Sequence, residues 1–559
     1  MSVSWTTEQQ QVIDLRDRNI LVSAAAGSGK TAVLVERILK RLTDPVRPVD
    51  VDHLLVVTFT KAAAAEMKER IRESLEKLME SGETDERILR QATLVHSAQI
   101  TTIDSFCQSV IRDHFHRIDL DPGFRVAEEG ELTLLMQDVM EEFLEEKYAE
   151  KSEAFLRFVE AYATGRDDKK LEEMILKLYS YSRSYPDPEG YLETCRASYR
   201  LEEDGQLPLE LQRQVCEDVK RRLEDLDRML DEAREIAGEA DGPFMYDEML
   251  EKDQMLLQKL LDAAEEEQPL SAMYQASEGI RTKKGFQALS RKKSDQVDPE
   301  KRELVKEIRD QVKKLAVEIC KDYFYESPEE QAQELSNCQE PMEVMTELVR
   351  EFGQKFAEAK ADRNLIDFGD MEQFALKILA EKQADGTWKP TQAAEEYQER
   401  FEEIMIDEYQ DSNMLQETIL TSVSRAGRGQ QNMFMVGDVK QSIYRFRLSR
   451  PDLFMDKFDR YTLEESENQR IDLHKNFRSR AEVLEGVNFV FRQIMHKDLG
   501  GVEYDDRAAL YPGAKFPEIP TQNQNPNCPH LIASVSPGTS PPDKEQLDHH
   551  IPLRPDPCA

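Results

Sequence analysis

Two short strings in this 559-residue chain carry residue types that handle phosphate and a divalent cation. The first is Ala24-Ala25-Ala26-Gly27-Ser28-Gly29-Lys30-Thr31, which follows the apolar run Ile20-Leu21-Val22. In such a loop, glycines let backbone N–H groups close on phosphate oxygens, lysine reaches the outer phosphates, and threonine can ligate Mg²⁺. The position of the usual first glycine is Ala24. The second string is Ile404-Met405-Ile406-Asp407-Glu408-Tyr409-Gln410-Asp411. It ends an apolar strand on two carboxylates. Asp407 suits a Mg²⁺ ligand, and Glu408 suits a group that orients or deprotonates an attacking water. The bland alternatives are a Gly-rich turn with an incidental lysine and a strand ending in solvated acids.

A third block runs Val436-Gly437-Asp438-Val439-Lys440-Gln441-Ser442-Ile443-Tyr444-Arg445-Phe446-Arg447. The neutral amide of Gln441 can sense a γ-phosphate by hydrogen bonding. Tyr444 and Phe446 alternate with Arg445 and Arg447, a pattern that suits base stacking on a single strand. Taken alone, the two aromatics read equally well as core residues of a strand.

These residues need rigid elements to hold them. Asn19–Ser23, His53–Phe59, Ile404–Asp407, Met433–Gly437 and Arg470–Leu473 read as buried strands. Helices follow the first loop, Lys61 and Ser479. Repeated strand–loop–helix units imply an α/β fold with a parallel sheet covered on both faces. Between about 126 and 350 the texture turns helical, with Leu211, Val215, Val219, Leu223, Leu226 and Leu230 at helical spacing and acidic runs such as Glu265-Glu266-Glu267 between such stripes. A basic stretch from Arg281 through Lys283, Lys284, Arg291, Lys292 and Lys293 could meet a nucleic-acid backbone or a partner. A solvated linker is the favoured reading of such a charge run. From Pro512 the chain is rich in Pro, Asn, Gln and Ser and reads as a disordered tail.

The 74 basic and 111 acidic residues leave a formal net charge of −37. That balance argues against wrapping duplex DNA by bulk electrostatics, while leaving room for a local groove. Seven scattered cysteines without a CxxC pair make disulfide, zinc and iron–sulfur frameworks poor fits and suit a reducing cytoplasm. No signal-peptide core or membrane-spanning run is present.

Further strings appear in a fixed order with these blocks: Trp5-Thr6-Thr7-Glu8-Gln9, Thr58-Phe59-Thr60-Lys61-Ala62-Ala63-Ala64-Ala65-Glu66-Met67, Thr102-Ile103-Asp104-Ser105-Phe106-Cys107 and His474-Lys475-Asn476-Phe477-Arg478-Ser479-Arg480. With them, residues 1 to about 515 resemble the superfamily 1 DNA helicases of the UvrD/PcrA/RecB type. More narrowly they resemble the AddA subunits of bacterial AddAB helicase–nucleases. The resemblance is weakest in the helical region.

It implies a P-loop NTPase, RecA-like first motor lobe at 1–125 and 351–447, a 1B-like helical insertion at 126–350, the start of a second RecA-like lobe at 448–515, and a tail at 516–559. It implies ATP and Mg²⁺ as cofactors. Gln9 would read adenine, Ala24 through Thr31 would cradle the phosphates with Lys30 on the β/γ pair, and Thr31 and Asp407 would hold Mg²⁺. Glu408 would activate water, Gln441 would couple the γ-phosphate to the DNA groove, and Arg478 would serve as an arginine finger. Phe59, Thr60, Tyr444 and Phe446 would contact single-stranded DNA, with Arg447 supporting them. Arg37 would either line the nucleotide pocket or form a surface salt bridge.

The implied activity is a 3′-to-5′ ATP-dependent helicase or translocase of a helicase–nuclease complex in double-strand-break repair and recombination. It would work at DNA ends with an AddB-like nuclease subunit, in the bacterial cytoplasm at the nucleoid, with no membrane. Later family motifs, including an acidic cluster with a Gln-x-x-x-Tyr pattern, do not follow Arg478, so a truncated gene product without the nuclease domain is expected. The alternative is an ATP-binding but hydrolysis-deficient fragment with an assembly role in the complex. A P-loop kinase would leave Gln441–Arg447 and Asn476–Arg480 without a purpose.

Overall fold

The computed structural model describes residues 5–80, 86–163, 167–265, 269–292, 294–497 and 502–516. The expected Pro-rich tail lies, from residue 517 on, outside the described residues. Six strands form the central sheet: β1 (Asn19–Ala24), β2 (Leu54–Thr58), β3 (Gln99–Thr102), β4 (Glu403–Ile406), β5 (Met433–Gly437) and β6 (Asn468–Leu473). Their order is β6-β1-β5-β4-β2-β3, and every pairing is parallel. Because side chains alternate across a strand, the sheet feeds two cores. Leu21, Leu55, Val57, Ile404, Ile406 and Met435 face one, against helices Ile103–His114, Phe368–Leu379 and Met414–Val423. Ile20, Val22, Leu54, Val56, Met405 and Val436 face the other, against helices Lys30–Thr43 and Lys61–Glu80. Burial on both faces explains why the inner strands β1, β2, β4 and β5 are apolar at nearly every position rather than alternating, while the edge strands β3 and β6 carry more polar residues.

The helical insertion builds two cores of its own. One gathers helices from Glu129 to Ala197 around Phe143, Phe352 and Phe356. The other is centred on the 30-residue helix Leu209–Gly238, whose Val219, Leu223, Leu226 and Leu230 pack against helices Asp247–Glu265 and Pro299–Tyr323. The start of the basic stretch folds onto this core, with the Arg281 guanidinium 3.6 Å from the centre of the Tyr274 ring.

The expected boundaries shift in two places. Helix Gln339–Ala361 runs unbroken through residue 350, and a parallel two-stranded ribbon, Arg125–Val126 with Leu365–Ile366, closes the insertion instead. The first sheet also continues past Arg447. Phe454 of helix Pro451–Arg460 is fully buried in its core. β6 pairs with β1 along all six positions, from Asn19 opposite Asn468 to Ala24 opposite Leu473. The strand assigned by sequence to a second lobe is therefore an edge strand of the first.

Arg37 is neither in the nucleotide pocket nor on the surface. It is buried with Arg41 against Glu403, the first residue of β4: Arg37 Nε lies 2.8 Å and Arg41 Nε 2.9 Å from its two carboxylate oxygens. Arg37 also donates to the Val12 carbonyl and lies 4.4 Å over the Phe434 ring. Burial alone would raise the Glu403 pKa, but the two guanidiniums outweigh it and hold the carboxyl below its ordinary range. Burial lowers the Arg37 pKa to about 10 against the pull of Glu403. Removing the acid would strand two buried cations. Glu403→Leu is expected to cost about 3–5 kcal/mol in urea unfolding of this lobe, whereas a change under about 1 kcal/mol would contradict the pairing as drawn.

Candidate nucleotide and nucleic-acid site

The C-terminal ends of the parallel strands open on one edge, and the motif residues collect there. After β1 the chain turns through Gly27 (φ 69°) and Gly29 (φ 83°), left-handed conformations that favour glycine. A Cβ on Gly27 would also sit 2.7 Å from Asn476 Nδ2. Helix Lys30–Thr43 then starts on Gly29 with no side-chain cap. Its first-turn N–H groups are thus left for a ligand, the usual setting for a phosphate. Ser28 is buried within this loop and its hydroxyl has no partner among the described residues. A glycine cradle, an uncapped helix start, a lysine, a threonine and an orphaned hydroxyl form a donor set that fits a Mg²⁺–nucleotide.

The phosphate loop and the acidic string meet directly. Lys30 Nζ lies 2.7 Å from Glu408 Oε2, across 378 residues of sequence. Glu408 itself has φ 53°, a sparsely populated conformation for a non-glycine residue. Burial, then the neighbouring Glu408 charge, push the Asp407 carboxyl up to about 6, with Lys30 opposing. The same two causes push Asp411 up to about 6. Among the described residues no cluster of three or more such side chains is placed to hold a metal ion, so the raised Asp407 and Asp411 carboxyls report burial beside the Glu408 charge.

Gln9 caps its own helix by accepting from the Thr6 N–H, and its Nε2 donates to the Ser28 carbonyl at 3.0 Å. From beyond β6, Asn476 Nδ2 donates to the Ala26 carbonyl at 2.6 Å and the Phe477 N–H to the Gly27 carbonyl at 2.8 Å. Asn476 Oδ1 accepts from the N–H groups of Arg478 and Ser479. Arg478 is thereby held beside the phosphate loop with its side chain exposed.

A chain of amides and carboxylates runs from Glu408 toward the third block. Gln410 Nε2 donates to Glu408 Oε2 at 3.0 Å and to Asp411 Oδ2 at 3.2 Å, while its Oε1 accepts from the Asp438 N–H at 3.0 Å. Asp438 Oδ2 in turn accepts from Gln441 Nε2 at 2.7 Å. A Cβ on Gly437 would fall 2.3 Å from Gln410 Oε1, which explains the glycine at the end of β5.

The aromatics of the third block are not core residues. Arg445–Arg447 form a 3₁₀ turn, and Phe446 is 75 % exposed. Phe59 and Tyr444 ring centres are 4.6 Å apart, Tyr444 and Phe446 5.8 Å. The Arg447 guanidinium lies 5.4–5.8 Å from all three rings. Thr60 is exposed, and its hydroxyl caps the next helix by accepting from the Ala63 N–H. Behind this cluster a cavity of about 670 Å³ is lined by Phe59 and Arg447, by Asp407, Glu408 and Asp411, and on its far side by residues of the insertion.

Comparison with known proteins bears on the whole arrangement. Residues 5–462 match the model of the UvrD/REP helicase N-terminal domain. The chain belongs to the UvrD/REP helicase family. Among curated relatives, three proteins named as the A subunit of an ATP-dependent helicase/nuclease are similar to it. That of Lachnoclostridium phytofermentans is 49% identical over 517 residues, 92% of this chain and 37% of the relative. Those of Bacillus licheniformis and Clostridium beijerinckii are 41% and 40% identical over 92% of this chain, each match covering 41% of the relative. The chain thus spans about two-fifths of the length of these relatives. Among the described residues, no helix is long and apolar enough to cross a membrane.

Within this UvrD/REP fold, two site residues carry no role that the sequence alone assigns. Gln410 stands inside the acidic string, but only the strand register shows its amide bridging β4 and β5. Asn476 stands inside the last string, and only the β6–β1 pairing brings it to the phosphate loop. Glu372 gives no sequence signal at all. It is buried on the cavity wall and accepts from Gln416 Nε2 at 2.7 Å. Burial pushes its carboxyl up to about 7, with the Gln416 hydrogen bond opposing. A raised acid favours the folded state fully below the unfolded value near 4.5 and loses that contribution as pH rises through about 7. Glu372→Gln keeps the acceptor and removes the titration. Between about pH 5.5 and about pH 8 the wild type is expected to lose about 2 kcal/mol of unfolding stability relative to this variant. Parallel pH profiles would contradict the assignment.

Proposed function

We propose that this chain carries the ATP-hydrolysing motor of a 3′-to-5′ DNA helicase or translocase. It would act at DNA ends with an AddB-like nuclease subunit, in double-strand-break repair and recombination in the bacterial cytoplasm at the nucleoid. The observation that carries this reading is the hydrogen-bond chain Glu408–Gln410–Asp438–Gln441, which ends three residues before Tyr444. It runs from the phosphate end of the sheet edge into the segment that carries the exposed aromatic cluster.

In this reading the residues divide the work as follows. Gln9 holds the adenine, and the backbone of Ala24 through Thr31 cradles phosphate oxygens. Lys30 exchanges its Glu408 partner for the β/γ-phosphates, which frees the Glu408 carboxylate to take a proton from the attacking water. Thr31 and Asp407 hold Mg²⁺, whose charge also relieves the crowded carboxylates. Arg478 neutralises charge developing on the phosphoryl oxygens. Bound Mg²⁺–ATP supplies the cleavable phosphoanhydride bond. Gln441 reports the state of that pocket to Tyr444. Phe59, Tyr444 and Phe446 stack bases, Arg447 braces the three rings, and Thr60 meets the backbone.

The test is ATP hydrolysis by the full chain with and without an oligothymidylate. Single-stranded DNA is expected to stimulate hydrolysis, and Lys30→Ala and Asp407→Asn to abolish it. Arg478→Ala is expected to lower kcat by ~10³–10⁵. A rate indifferent to DNA and to Lys30 would sink the motor reading. ATP binding with no hydrolysis would instead favour the hydrolysis-deficient fragment with an assembly role.

A further inference from the structure

Arg450 lies three residues past Arg447, at the start of helix Pro451–Arg460. Its backbone N–H donates to the Ser412 carbonyl at 2.9 Å, directly after Asp411 of the acidic string. Its guanidinium leaves the motor lobe. Nη1 donates to the Tyr185 hydroxyl at 2.7 Å, while Nε and Nη2 hold Asp452 at 2.8 and 2.7 Å. Tyr185 belongs to the insertion, just past helix Lys169–Arg183. There it stacks on Tyr191 with ring centres 4.3 Å apart. Among the described residues, this is the one side-chain hydrogen bond joining the insertion to the chain after residue 400. The turn that carries Tyr185 is also gripped from the other side: Gln373 Nε2 donates to the carbonyls of Arg183 and Tyr185, and Arg183 pairs with Asp370 at 2.8 Å.

The bridge spans two bodies otherwise separated along this line by the large cavity. That cavity has Asp407, Glu408 and Ser412 on one wall and Tyr179, Ser180 and Arg183 on the other. One residue is thus anchored by its backbone to the acidic string, by chain continuity to the aromatic–arginine turn, and by its side chain to the insertion. Leu448, between Arg447 and Arg450, has φ 63°, and Ser449 is buried, so the connecting segment is short and conformationally defined. A change at Asp411–Ser412 has little slack in which to be absorbed before it reaches Tyr185.

The geometry points to Arg450 and Tyr185 as positioning residues that transmit the state of the nucleotide pocket to the helical insertion. This rests on the motor reading above. The contact touches neither nucleotide nor DNA; it sets where the insertion stands while they are bound. The specific variant is Tyr185→Phe. Phenylalanine keeps the stack on Tyr191 and the face presented to Arg450 and leaves the Arg450–Asp452 pair intact, removing only the hydroxyl.

The experiment is amide hydrogen exchange on the full chain with and without a non-hydrolysable ATP analogue and Mg²⁺, together with hydrolysis rates. In the wild type the analogue is expected to slow exchange at 24–31 and also to alter it at 183–191. In Tyr185→Phe the first response persists and the second is lost. Hydrolysis without DNA and the KM for ATP stay unchanged, while stimulation by oligothymidylate falls about fivefold. A variant that keeps the 183–191 response, or a wild type that lacks it while 24–31 is protected, overturns the coupling and leaves the motor reading standing. If 24–31 is not protected in either protein, the nucleotide reading falls and the coupling with it.

Discussion

Parallel strand pairing is the constraint from which the rest follows. Six strands running one way deliver six chain segments to a single edge: the phosphate loop after Ala24, Phe59 after β2, Thr102 capping a helix after β3, Asp407 after β4, Asp438 after β5 and His474 after β6. Residues hundreds of positions apart in sequence become neighbours with no further device. With both faces of the inner strands buried and apolar, it is the shape of each side chain against its own core, and not a polar–apolar alternation, that selects the register.

The same edge collects polar groups that no ladder can satisfy, and the protein satisfies them with one another. Lys30 neutralises Glu408, Gln410 divides its amide between Glu408, Asp411 and Asp438, and Asn476 closes on the carbonyl of Ala26. Buried networks of this kind hold a single arrangement when complete and are costly when a member is lost. The left-handed backbone of Glu408 and the raised pKa values of Asp407 and Asp411 mark where that arrangement is under load. A ligand that brings positive charge, or draws Lys30 away, acts on the whole network and not on one residue.

Much of the sheet was legible because a strand buried on both faces is a nearly unbroken apolar run: β1, β2, β4 and β5 each announce themselves this way, whereas β6, Asn468-Gln469-Arg470-Ile471-Asp472-Leu473, is mostly polar and only its Arg470–Leu473 part was read as a strand. β3 shows no such run, because Gln99-Ile100-Thr101-Thr102 is half polar at the sheet's edge. Helix existence in the insertion was legible from spacing, but its closing boundary was not, because a two-residue ribbon at Arg125–Val126 has no periodic signal. The place of Arg37 was not legible, because a basic residue on a helix next to a phosphate loop says nothing about a carboxylate arriving 366 residues later. The aromatic block was ambiguous by composition and was decided by exposure. Gln410 was visible as a letter but not as a link, since the direction of an amide is a tertiary property.

We propose that one sheet edge holds nucleotide and single-stranded DNA in a single coupled site. Thermodynamic linkage tests it without depending on turnover. The Kd of a fluorescent oligothymidylate would be measured with and without a saturating non-hydrolysable ATP analogue and Mg²⁺, and the Kd of the analogue with and without saturating oligothymidylate. Both affinities are expected to shift by the same factor, about fivefold or more. Two affinities that ignore each other would contradict it.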